Sequence, residues 1–154
     1  MSLMLARALP AQDPLGLPVG AKAPGAKVQT LDGKPVDLSS YIGKGPVVLE
    51  FWALWCSNCK ELEPQLKSLT AKYAGKVTFV SVAVSVNESP DRVKRYAAKY
   101  GLAQQLVFDT DGAATAAYSA PATSYVVVID RSGKIVYTGL GGEQNLEAAV
   151  QKGL

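Results

Sequence analysis

The sequence predicts an α/β fold: a three-layer α/β/α sandwich around a mixed central sheet, with an N-terminal β-hairpin. Three observations predict it. Two near-continuous apolar runs, 46–53 and 77–84, read as strands buried on both faces. Amphipathic helical patterns alternate with the strand patterns. Near the C-terminus, a strong strand, a turn and a second strand follow one another and finish the sheet as an antiparallel pair.

Each element follows from local chemistry. Val28 to Thr30 and Val36 to Leu38 flank Asp32-Gly33, a hairpin signal. After the strand at 46–53, Leu62, Leu66, Leu69 and Tyr73 recur at helical spacing, and Gly75 closes that helix. Pro64 lies inside it and is expected to kink it. After the strand at 77–84, Ser89-Pro90 supplies an N-cap and a first helical residue. That helix turns Val93, Tyr96, Ala97 and Tyr100 inward and ends at Gly101, while Lys94, Arg95 and Lys99 form a solvated face. A short strand at Leu106 to Phe108 and a weak helix at Ala113 to Tyr118 come next. Tyr125 to Ile129 is the strong strand; Asp130-Arg131-Ser132-Gly133 turns the chain into Lys134 to Thr138, and Glu143 to Gln151 reads as the closing helix. Residues 1–24, rich in Ala, Leu, Pro and Gly, have no clear periodicity. They read as a flexible N-terminal arm, which leaves one domain over 25–154.

Composition removes several kinds of function. The 154 residues carry a formal charge of +3, too small to argue for nucleic acid, and no apolar run approaches membrane-spanning length. The chain has no histidine, which excludes His-based acid–base catalysis, Ser-His-Asp triads and His metal ligands. No metal site or separate cofactor is expected. Asp109 and Asp111 beside Gly112 make a turn signal, because the other oxygen ligands of a calcium loop are missing.

The two cysteines, Cys56 and Cys59, are three positions apart. A loop that short restricts the unfolded chain little, so reactivity explains the pair better than stabilisation. It follows a buried strand and opens a helix. Cys56 then sits at the helix N-terminus, where unpaired N–H groups and the helix dipole stabilise a thiolate and lower its pKa below about 8.5. Cys59 lies on the same face, within reach. Cys56 can attack a substrate disulfide, and Cys59 can resolve the mixed disulfide that forms.

With Trp55-Cys56-Ser57-Asn58-Cys59-Lys60 in place, the chain resembles the thioredoxin superfamily, and more narrowly its TlpA/ResA-like extracytoplasmic thiol–disulfide oxidoreductases. The run Val47 to Cys56 is similar to that family's first core strand and active-site entry. Pro64, Ala23-Pro24, the Asp32-Gly33-Lys34 hairpin, the helix after Ser89 and Asp130 to Ile135 fit the same branch. The resemblance spans about residues 20–152.

The resemblance implies roles for further residues. Glu50, six before Cys56, stands where the superfamily places a buried acid, and would take the proton of Cys59. A carboxylate in an apolar strand is costly to bury, and burial raises its pKa toward a useful range. Trp55 would form an apolar rim beside Cys56, whereas Trp52 reads as core. Ser57 and Asn58 depart from the usual dipeptide with proline before the second cysteine, and these two positions help set the potential in the family. The family also carries a cis-proline facing the cysteines. Pro121 and Ser124 compete for that place. Counting back six residues from Asp130 favours Ser124, whose peptide bond would then be trans. Residues Ala122 to Tyr125, with Thr123 and Ser124 among them, should face Cys56 and pair with a bound peptide, Pro121 nearby.

By resemblance, the substrates are disulfides of exported proteins, apocytochrome c among the candidates. The partners are such proteins and an upstream membrane or soluble thiol reductant, and the protein is expected to be a monomer. Its location would be extracytoplasmic, periplasmic or membrane-tethered with the signal or anchor trimmed, although such folds also work in the cytoplasm. Two other functions use related folds. A Sco-like copper module has CxxxC and a distant His, where this chain has CxxC and none. A peroxiredoxin-type peroxidase has Thr three residues before its reactive cysteine, where this chain has Ala53.

Overall fold

The computed structural model describes residues 15–154. Its centre is a seven-stranded mixed sheet in the order β2-β1-β5-β4-β3-β6-β7. The strands are β1 (Lys27–Thr30), β2 (Pro35–Asp37), β3 (Val47–Trp52), β4 (Thr78–Val84), β5 (Gln105–Asp109), β6 (Tyr125–Ile129) and β7 (Ile135–Gly139). The helices are α1 (Ser57–Lys72), α2 (Pro90–Tyr100), α3 (Ala113–Ala117) and α4 (Leu146–Gln151). β3, β4 and β5 run parallel, and the remaining neighbours are antiparallel. β3 lies in the middle with a partner on each side, so all six of its residues are buried and its sequence is apolar on both faces apart from Glu50.

The period of two along β3 divides the core. Leu49 and Phe51 face a cluster that includes Val80, Val82, Ala114 and Tyr118, beneath α3 and the 3-10 turn at Leu38–Tyr41. Val48 and Trp52 face the opposite layer, where α1, α4 and α2 pack. α1 buries Leu62, Leu66 and Leu69 there; each such side chain removed from water is worth roughly 1.5–3 kcal/mol. The order of elements and the sandwich are as the sequence predicts. Helix α1 runs through Pro64 to Lys72, and Ser89 caps α2 by accepting the Arg92 N–H.

The differences lie at the ends. The closing helix begins at Leu146 instead of Glu143, because the Asn145 side chain accepts the Ala148 N–H and fixes the start there. α3 stops at Ala117, since Ser119 takes a positive φ of 47°. Of the segment expected as a free arm, residues 1–14 lie outside the described residues. The part beyond them is docked: Gly20 N–H donates to Ile135 O (2.8 Å), Ile135 N–H to Ala21 O (2.9 Å) and Ala23 N–H to Gly133 O (2.8 Å). These bonds run along β7 and use backbone alone, which is why no periodicity announces them.

Candidate active site

The chain leaves β3 at Trp52, crosses Ala53-Leu54-Trp55 and enters α1 at Cys56, its N-cap. The Cys56 Sγ accepts the N–H of Cys59 at 3.1 Å, so the sulfur satisfies one of the unpaired donors at the helix start. No acidic residue lies in the first turn of α1 to compete with a thiolate. Cys56 and Cys59 form a disulfide with their Cα atoms 5.3 Å apart, and both are nearly covered, at 6 % and 3 % exposure. Ser57 and Asn58 between them are exposed.

Two bonds from the β4–α2 connection hold this entry. The Leu54 N–H donates to Glu88 Oε2 (2.9 Å), and the Trp55 indole N–H donates to Val86 O (2.8 Å). Glu88, whose side chain is fully buried, also accepts the Ser89 N–H (3.2 Å) and faces the Arg92 Nε at 3.6 Å. The anchored Trp55 presents its ring to solvent, 49 % exposed, beside the nearly covered Cys56. Trp52 is core, its ring tilted against Tyr96.

Glu50 is 3 % exposed and lies in β3 between Val48 and Trp52 in the alternation, on the α1 side of the sheet. Trp52 belongs to the same cluster as both cysteines. Burial pushes the Glu50 carboxyl up to about 8; a hydrogen bond from Ser81 pulls the other way, and the Glu63 charge on α1 adds to the rise.

The 119–124 loop is tied to the same end of β3 through Ser124 and Phe51. Ser124 directly precedes β6 and has a φ of 67°. Its N–H donates to Phe51 O (2.8 Å), its Oγ accepts the Gly141 N–H (3.1 Å), and its carbonyl accepts from Gln144 Nε2 (2.9 Å). At 1 % exposure, with these groups engaged internally, Ser124 anchors the loop instead of facing outward. No peptide bond among the described residues is cis. Pro121, Ala122 and Thr123 line a mainly apolar cavity of about 410 Å³ together with Trp55, Val84 and Val86. Asp109 also borders it, its carboxylate accepting the Ala114 and Thr115 N–H groups at the start of α3.

The structure thus brings Trp55, Pro121 and Thr123 to one cavity and sets Ser124 behind it. Sequence reasoning did not single out Ser81, Glu88, Gln104 or Gln144. None sits in a motif. Each reaches the site through sheet register or loop packing, and only Glu88, just before a helix cap, leaves a local trace.

Among the described residues, no group of three His, Cys, Asp or Glu could hold a metal ion, and no helix is long and apolar enough to cross a membrane. Residues 18–152 match the Redoxin family. The chain is 31 % identical over 129 residues to the thiol-disulfide oxidoreductase ResA of Bacillus thuringiensis subsp. konkukian, covering 84 % of this chain and 73 % of that one. Among solved structures, it is similar to a putative thiol:disulfide interchange protein DsbE from Chlorobium tepidum, with a TM-score of 0.74 at 29 % identity over 88 % and 95 % of the two chains. A secreted Mycobacterium tuberculosis disulfide oxidoreductase, homologous to E. coli DsbE, gives a TM-score of 0.69 at 26 % identity over 82 % and 92 %.

Proposed function

The chain belongs to the Redoxin family and is a ResA-like thiol–disulfide oxidoreductase of the thioredoxin superfamily, and from that premise we propose that it reduces disulfides of exported proteins, apocytochrome c among them. The observation that carries the reading is Cys56 Sγ at the N-cap of α1, accepting the Cys59 N–H at 3.1 Å. A sulfur so placed is a stabilised thiolate when the pair is reduced, and a good nucleophile.

The cycle then runs in two steps. The Cys56 thiolate attacks one sulfur of the substrate disulfide and expels the other as a thiolate, which water protonates. Cys59 gives its proton to Glu50 and attacks Cys56, which expels the second substrate sulfur as a thiolate and leaves the Cys56–Cys59 disulfide. An upstream dithiol, soluble or membrane-bound, restores the reduced pair; no other cofactor takes part. The substrate lies along Pro121, Ala122 and Thr123 and over Trp55, with an apolar side chain in the adjoining cavity; Ser57 and Asn58 border the attacked sulfur, and Ser124 holds the loop. The work is done outside the cytoplasm by a monomer. The secreted M. tuberculosis relative supports that location.

The test is turnover of a disulfide-bearing apocytochrome peptide by the reduced protein. Cys56→Ser loses all turnover, and Cys59→Ser accumulates a mixed disulfide through Cys56 that mass spectrometry detects. Trapping through Cys59 in the Cys56→Ser protein, at a rate above that of the converse variant, would reverse the assigned roles.

A further inference from the structure

Glu50 does not sit alone in the core. Its neighbour across the β3–β4 ladder is Ser81, in parallel register with it, and the Ser81 hydroxyl donates to Glu50 Oε2 at 2.9 Å. Behind Ser81 lies Gln104, just before β5, whose Nε2 donates to Ser81 Oγ at 3.2 Å. Ser81 is 1 % exposed and Gln104 8 %. The amide turns its donor end toward Ser81, and its buried Oε1 accepts from no other protein group.

Both bonds point the same way. Amide N–H donates to hydroxyl, and hydroxyl donates to carboxyl, each polarising the next. A chain of donors ending on a carboxyl favours its charged form over its neutral one. The other groups that bear on Glu50 oppose ionisation or are neutral to it. Val126 pairs with it from β6, Glu63 on α1 carries like charge, and Tyr96 on α2 donates to Glu63 at 2.8 Å.

We propose that Ser81 and Gln104 are positioning residues for the proton that Glu50 handles: a two-link donor relay that fixes the carboxyl by one oxygen and keeps its charged, proton-accepting form accessible near neutral pH. This rests on the role of Glu50 proposed above. In the resolving step the Cys59 thiol loses its proton to the Glu50 carboxylate. The Cys59 sulfur forms a bond to Cys56 as the bond from Cys56 to the substrate sulfur breaks, and the substrate sulfur leaves as thiolate. Cys59 is oxidised and the substrate sulfur reduced. Glu50 must be ionised for this step, burial works against that, and the relay offsets part of the burial.

The experiment is a pH series, read in two ways. In the disulfide form, carbon NMR of the labelled Glu50 carboxyl gives its titration midpoint. In the reduced form, stopped-flow release of the second thiol from a chromogenic aromatic disulfide gives the resolving rate. Ser81→Ala moves both midpoints upward by about 1–2 pH units, the usual worth of a hydrogen bond to a charged group. Ser81→Thr, which keeps the hydroxyl, restores them. Gln104→Leu moves them in the same direction by less, and serves alone should Ser81→Ala fail to fold. Midpoints unchanged in Gln104→Leu and in a folded Ser81→Ala would overturn the relay. Glu50→Gln separates the two ideas: it removes the limb of the resolving rate assigned to Glu50, and if the limb persists there, the acid role of Glu50 is wrong independently of the relay.

Discussion

Two regions at the C-terminal end of β3 are built in different ways. On one side, β3 and α1 place Glu50, Cys56 and Cys59 by regular hydrogen bonding, and the Ala53-Leu54-Trp55 join between them is braced by Glu88 and Val86. On the other, the 119–124 loop has positive φ at Ser119 and Ser124, and distant residues hold it: Gln144 bridges Ser124 O (2.9 Å) and Gly141 O (2.8 Å), and itself accepts the Tyr137 hydroxyl at 3.0 Å. The first region carries charge and sulfur; the second carries shape. The difference teaches that chemistry here is fixed by the middle of the sheet, while the fit to a partner depends on a few side-chain bonds at its rim. Changes in the first region should alter rates and pH dependence, and changes in the second should alter substrate affinity and stability.

Short of removing a cysteine, the largest expected effect is Glu50→Gln. Loss of a positioned proton acceptor slows the resolving step by about 100-fold or more, measured in a single turnover. The same substitution changes stability in a defined pH window. The folded carboxyl titrates at about 8 against an ordinary value of 4.5. As pH rises through 4.5 the unfolded chain ionises and the folded one does not, so stability falls steadily until about pH 8 and then levels. Denaturant unfolding of the oxidised protein should show that decline, and Glu50→Gln should remove it. A decline that survives in the variant breaks the assignment of charge to the first region.

A smaller effect of another kind is expected from Gln144→Leu. It strips a buried carbonyl of its donor at Ser124, destabilises the fold by about 1–3 kcal/mol and raises KM by up to about tenfold. The Cys56–Cys59 reduction potential stays where it was. A shifted potential would mean that the rim reaches the sulfur chemistry.

The smallest effects come from Ser124, and their order sharpens the comparison. Ser124→Ala loses the bond to Gly141 N–H and keeps the strained φ, at about 1–2 kcal/mol. Ser124→Gly loses the same bond and relieves the left-handed backbone, worth about 1 kcal/mol, so the two terms nearly cancel. Thermal unfolding should rank wild type and Gly together, above Ala. Gly falling below Ala would show that the loop's backbone conformation is not what strains it.

The same contrast explains what the sequence disclosed. β6 matches its expected span because Tyr125–Ile129 is unbroken β-branched and aromatic chain between turn residues. α2 was legible from Ser89-Pro90 at one end and Gly101 at the other, since caps are local chemistry. Cys56, Cys59 and Glu50 could be read for the same reason, lying within ten residues on consecutive elements. Ser81 and Gln104 could not, because only the register of β3 on β4, and the approach of the chain entering β5, bring them to Glu50. Glu88 reaches Leu54 across 34 positions, and Gln144 reaches Ser124 across 20, with no periodicity to announce either. The docking of residues 20–23 on β7 was hidden because it is made of backbone bonds from a stretch whose side chains carry no pattern.

The central claim is that this pair gives electrons to substrate disulfides. Its most direct test is the reduction potential of Cys56–Cys59, obtained by equilibration in glutathione or dithiothreitol buffers with thiol trapping. A two-electron transition more negative than about −230 mV is the expected result, and makes the pair a reductant. A transition near about −120 mV, in the range of a strong oxidant, would contradict it and reverse the direction of electron flow.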